Sequence, residues 1–152
     1  MDSADREQMI RGMVDRLAER LRTSPDDADG WARLGRARIV LGETALAKEA
    51  YGKAAALRPD DVGFLAAWAD SIVAASEPAP PNAAELSPVV DRILARAPNH
   101  PRALWLAGAL ALSAGDLAAA KARWTSLLDV LDPNSVQYVE LKKQLEALLP
   151  AK

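Results

Sequence analysis

Apolar residues recur at helical spacing along nearly the whole chain, and proline and glycine cut the recurrence into blocks. Met9, Met13, Leu17 and Leu21, with Ile10 and Val14 beside them, form one apolar stripe that predicts a helix over 3–22. Ser3 or Asp5 is its expected N-cap, and both methionines are expected in the core. The stripe ends before Ser24-Pro25-Asp26-Asp27. That ending returns as Arg58-Pro59-Asp60-Asp61, Ala97-Pro98-Asn99-His100 and Asp132-Pro133-Asn134. The prolines stand 34, 39 and 35 residues apart, so the chain repeats with a period near 34 and carries a small insertion in its middle unit.

Within the first full period, 28–61, Trp31, Leu34 and Gly35 precede a helix-breaking Gly42, and Ala47, Tyr51, Ala54 and Pro59 follow it. Small residues at Gly35 and Ala47 let two antiparallel helices cross closely, and Trp31, Leu34 and Tyr51 fill the space beside the crossing. This is the tetratricopeptide pattern. The unit 62–100 places Leu65, Trp68 and Ala69 in the early positions. It then meets Ser76-Glu77-Pro78-Ala79-Pro80-Pro81-Asn82, where three prolines forbid helix, and resumes near Glu85. The unit 101–134 uses Leu104, Ala107 and Gly108, then Ala120, Trp124 and Leu127, with a turn at Gly115-Asp116. A last helix over 135–149, with Tyr138, Leu141, Leu145 and Leu148 on one face, would cap the open end. Asn134 and Gln137 have the spacing of a capping box at its start. The expectation is an all-α tetratricopeptide superhelix in a single domain, 1–152. Three helix pairs would stand between an N-terminal half-repeat helix and a C-terminal capping helix.

Composition narrows the function classes. Half the residues are apolar, about a quarter are charged and the formal net charge is -2, so no strong field points to nucleic acid or an acidic membrane surface. There is no cysteine, hence no thiolate nucleophile or disulfide. The single histidine, His100, sits in a turn before Pro101 and reads as a cap or solvated turn residue. Asp26-Asp27 and Asp60-Asp61 fall at equivalent helix starts, where carboxylates accept from free N–H groups and face the positive dipole end. No phosphate loop or hydrolase motif is present. No catalytic residue, metal or cofactor is expected, and the chain reads as a binding protein.

In a superhelix of this kind the first helix of each pair lines a concave face. The expected groove positions are Asp29, Ala32, Arg36, Ile39 and Val40 in the first unit. Gly63, Ala66, Asp70, Val73 and Ala74 follow in the second, and Arg102, Trp105, Ala109, Leu112 and Ser113 in the third. The groove is therefore mostly apolar, with Arg36, Asp70 and Arg102 as charged points. Trp105 stands beside Leu104, which fills the core position; its indole either faces the groove as an anchor or packs on a neighbouring repeat. Trp31, Trp68 and Trp124 hold packing positions. Such a groove suits an amphipathic helix better than a highly charged peptide.

Four stretches carry a more specific resemblance. They are Asp5-Arg6-Glu7-Gln8-Met9-Ile10-Arg11-Gly12-Met13-Val14, then Leu17-Ala18-Glu19-Arg20-Leu21 leading to Pro25-Asp26-Asp27, then Gly30-Trp31-Ala32-Arg33-Leu34-Gly35-Arg36 and Ala103-Leu104-Trp105-Leu106-Ala107-Gly108. With the proline-bearing insert, they resemble the periplasmic tetratricopeptide domain of the cytochrome c maturation protein I, the CycH-type biogenesis factor. The resemblance implies a chaperone that holds the C-terminal helix of apocytochrome c and delivers it to subunits of the haem-ligation complex. It also implies a place on the periplasmic face of the inner membrane, with membrane anchoring outside this stretch. The alternative is a general scaffold for assembling a protein complex.

Overall fold

A computed structural model describes residues 1–148. It resolves into two compact units, the first Met1–Asn82 and the second from Ala83 onward. The first holds α1 (Ser3–Thr23), α2 (Ala28–Val40), α3 (Thr44–Leu57) and α4 (Val62–Ser76). The second holds α5 (Ala83–Arg96), α6 (Pro101–Ser113), α7 (Leu117–Val130) and α8 (Val136–Ala147). No strand occurs among the described residues. The expected end of the capping helix at Leu149 lies outside them.

The turn chemistry accounts for the hairpins. Gly42 and Gly115 adopt φ of 75° and 80°, a left-handed conformation that costs a residue without Cβ little. Each closes the same C-terminal motif. The Glu43 N–H donates to the Arg38 carbonyl at 2.8 Å and the Gly42 N–H to that of Ile39 at 3.0 Å. Asp116 and Gly115 repeat this onto Ala111 and Leu112 at 2.9 and 3.0 Å. Helix starts are capped by Asp27, Asp61 and Asp116, whose carboxylates accept from the N–H groups of Gly30, Phe64 and Ala119. The acidic pairs are therefore structural caps at their second members. His100 caps α6 through Nδ1, 3.3 Å from the Ala103 N–H.

Two expected caps shift. Asp2, not Ser3 or Asp5, caps α1: its side chain accepts from the Asp5 N–H at 2.8 Å, because the helix begins at Ser3 itself. At α8, Ser135 accepts from the Tyr138 N–H at 3.2 Å, so the Asn134–Gln137 box does not form. Asn134 instead donates its N–H to the Asp132 side chain in a turn of its own.

Each unit has its own core. In the first, Val14 and Leu21 of α1 meet Trp31 and Leu34 of α2 and Ala50 and Ala54 of α3. The Trp31 indole N–H donates to the Pro25 carbonyl at 2.8 Å, pinning α2 to the turn before it. Tyr51 lies against Gly35, and Trp68, half-buried, against Gly52. In the second, Leu86, Ile93, Leu104, Trp124, Leu127 and Leu141 are buried. Met9 and Met13 do not join the core; they are 49% and 56% exposed. The helix turns about 100° per residue, so a step of four residues rotates by about 40°. The residues that stay on one strip are Ile10, Val14, Leu17 and Leu21, leaving Met9 and Met13 beside it.

Candidate peptide-binding surfaces

The first-helix positions of the first unit divide into floor and surface. Ala32 is buried in the core, and Ala66, Val73 and Ala74 are half-buried. Ile39 and Val40, near the end of α2, are exposed, Val40 by 71%. Asp29 is exposed but engaged: both its oxygens accept from Arg58, at 2.8 and 3.2 Å. Arg36 is exposed beside Tyr51, whose hydroxyl is pushed up by burial, an effect this guanidinium opposes. Asp70 and Gly63 are exposed.

In the second unit Arg102, Leu112 and Ser113 are exposed and Ala109 half-buried. The Trp105 ring stacks on Trp124, centroids 5.4 Å apart and planes 20° from parallel. The Trp124 indole N–H donates to the Trp105 carbonyl at 3.2 Å. Trp105 therefore packs within its own unit and also presents a wall to the outside. That wall bounds a cleft of about 490 Å³ between α6, the end of α7 and α8, lined with Arg102, Leu127, Leu131, Val136, Glu140 and Leu141 among others. Sequence reasoning gave α8 only the role of an end cap and missed its share of this cleft. The signal was Val136, an apolar β-branched residue at the first helical position, 74% exposed.

Among the described residues, no group of three His, Asp or Glu side chains is placed to hold a metal ion. No described helix is long and apolar enough to cross a membrane.

Helix hairpins of this length, with small residues at their crossings and glycine turns between them, define a tetratricopeptide-repeat protein. The chain's fold matches the crystal structure of MamA with a TM-score of 0.71 over 97% of this chain and 88% of that one, at 15% identity. Residues 4–138 match the tetratricopeptide domain of cytochrome c-type biogenesis protein H, and the chain belongs to that family. It is 54% identical over 43 residues to the cytochrome c-type biogenesis protein CycH of Bradyrhizobium diazoefficiens, covering 28% of this chain and 12% of the relative. It is 50% identical over 50 residues to CycH of Rhizobium meliloti, covering 33% and 13%. The matched stretches thus span about an eighth of these curated relatives.

Proposed function

We propose that this chain is a non-catalytic peptide-binding domain of c-type cytochrome maturation, acting on the periplasmic face of the inner membrane. It holds the C-terminal helix of apocytochrome c and passes it to subunits of the haem-ligation complex. The observation that carries this reading is the aromatic-walled cleft of the second unit, in a chain of a cytochrome c biogenesis family.

An amphipathic helix presents apolar anchors at i, i+3, i+4 and i+7. One anchor enters the cleft against Trp105, whose stack on Trp124 holds the ring in place before the client arrives. Preorganisation of this kind reduces the ordering cost of binding. Within the same unit, Leu112 of α6 offers a further exposed apolar contact, Ala109 is the small residue one turn before it, and Arg102 is the charged position on the cleft wall that orients the helix. In the first unit, Ile39 and Val40 of α2 form an exposed apolar surface of their own, with Asp29, Arg36 and Asp70 as its charged first-helix positions. Ordering a flexible tail opposes binding, so affinity is moderate, in the micromolar range.

Calorimetric titration with a synthetic C-terminal helix of a c-type cytochrome tests this. Trp105→Ala should weaken binding at least tenfold. Because that change also removes the stack, Val136→Asp is the companion variant. It puts a charge at the cleft mouth on an exposed first-turn position, where an acid suits the helix dipole, so binding falls while the thermal midpoint holds. Peptide binding that both variants leave intact would move the site elsewhere. No peptide binding at all would favour an assembly scaffold.

A further inference from the structure

Repeat periodicity makes α1 the second helix of a two-helix unit. In the complete hairpins α2–α3 and α6–α7, the residues equivalent to Met13 are Ala47 and Ala120. Both are 0% exposed, because the first helix of the hairpin lies over them. Over Met13 no described helix lies. α1 packs on α2 through Ile10, Val14, Leu17 and Leu21, and the neighbouring strip of α1 stays open.

That strip contains Asp2, Met9, Met13, Arg16 and Arg20, at steps of seven, four, three and four residues that keep them on one face of the helix, with Asp5 at its edge. Its charge is polarised: acids precede the methionines and bases follow them. Asp5 and Arg16 form no ion pair within the described residues, and Arg20 reaches only Asp27, at 3.2 Å, with its side chain half exposed. Arg6, the cation on the acidic side, turns toward α2, where it lines a small cleft with Ile10, Val40 and Leu41. At Gly12, beside the methionines, the space a side chain would fill is open.

A helix with this polarity is complementary to itself when reversed. We infer that α1 is a self-association surface on which a second copy of the chain docks antiparallel. Met9 of each copy lies on Met13 of the other, Asp5 faces Arg16, and Asp2 faces Arg20. Two methionines per helix bury far less than the roughly 1,200–2,000 Å² of a standard interface, so the dimer is weak and reversible. Its dissociation constant should lie near about 100 μM.

Sedimentation equilibrium of the full chain from about 5 to about 500 μM brackets that constant. The wild type should pass from monomer to dimer across this range. Met9→Glu with Met13→Glu should stay monomeric with unchanged helical content, since both positions are exposed. Arg16→Asp alone should weaken the dimer at least fivefold, and adding Asp5→Arg should restore it by exchanging the sign of each pair. A wild type that stays monomeric throughout would overturn the inference. So would a dimer that survives the methionine changes, or charge reversal that fails to restore it.

Discussion

Gly108 faces the Trp124 indole so closely that a Cβ there would overlap Nε1 and Cδ1 of a buried ring held by its bond to Trp105. Gly35 faces Tyr51, where a Cβ would come within 2.8–2.9 Å of Cδ2, Cε2 and Cγ of a half-buried ring packed on the core, a closer approach than real Cβ atoms make but a milder overlap than at Gly108. At Gly12 nothing stands within 4 Å. Replacing helical glycine by alanine gains about 1 kcal/mol of propensity, while overpacking a core costs about 1–3 kcal/mol. Three different results follow from one substitution. Gly108→Ala should lose about 2 kcal/mol, Gly35→Ala should lose less, about 1 kcal/mol, and Gly12→Ala should gain about 0.5–1 kcal/mol. Urea unfolding of the three variants reads the order directly. Gly108 and Gly35 were legible as crossing residues because their spacing to Trp124 and Tyr51 repeats. The place of Met9 and Met13 was not, since a four-residue stripe and the true core strip share Leu17 and Leu21 and diverge only toward the N-terminus.

At the scale of the element, the helices were nearly complete in the sequence because their punctuation is chemical: proline and aspartate at starts, glycine in turns. What the pattern could not give was the choice among neighbouring caps, such as Asp2 over Ser3 and Ser135 over Asn134. That choice depends on which backbone N–H is left open by a single residue of helix. The cleft beside Trp105 was half legible, because Trp105 and Arg102 follow from repeat position while the α8 wall depends on where the last helix packs.

The α2–α3 turn carries a further long-range device. Glu43 accepts from Arg38 at 2.5 Å and from Arg11 of α1 at 2.8 Å. The Arg38 hydrogen bond, against some desolvation and aided by Arg11, holds the Glu43 carboxyl below its ordinary value of 4.5. A lowered folded-state pKa means that the stabilisation is complete above the unfolded value and is lost as pH falls through the folded one. The stability difference between wild type and Glu43→Gln should therefore be constant at neutral pH and shrink below about pH 4.5. Thermal melts across pH 3–7 would show a pH-independent difference if the pair did not contribute. Loss of a cap acts locally by comparison: Asp61→Ala should cost about 1 kcal/mol through the unpaired Phe64 N–H at the start of α4.

At the scale of the whole molecule, the segment Glu77–Asn82 joins two units that each enclose a core. Most of it is exposed, and loop lengthening costs only about 0.6 kcal/mol per doubling. Inserting Gly-Ser-Gly-Ser after Ala79 should leave the urea midpoint almost unchanged; a large loss would mean that the segment itself is part of a core. The proposed work of the molecule needs no chemistry, only a preference for a client helix that has not yet been claimed by its own fold. On this proposal, haem attachment would order the cytochrome core and draw that helix into it, so that release would follow from the client's folding. The most direct measurement is a calorimetric comparison of the apo and haem-loaded forms of one c-type cytochrome binding to this chain. Micromolar binding of the apo form, with the haem-loaded form at least tenfold weaker, is the predicted result. Equal binding of the two forms would contradict a chaperone role.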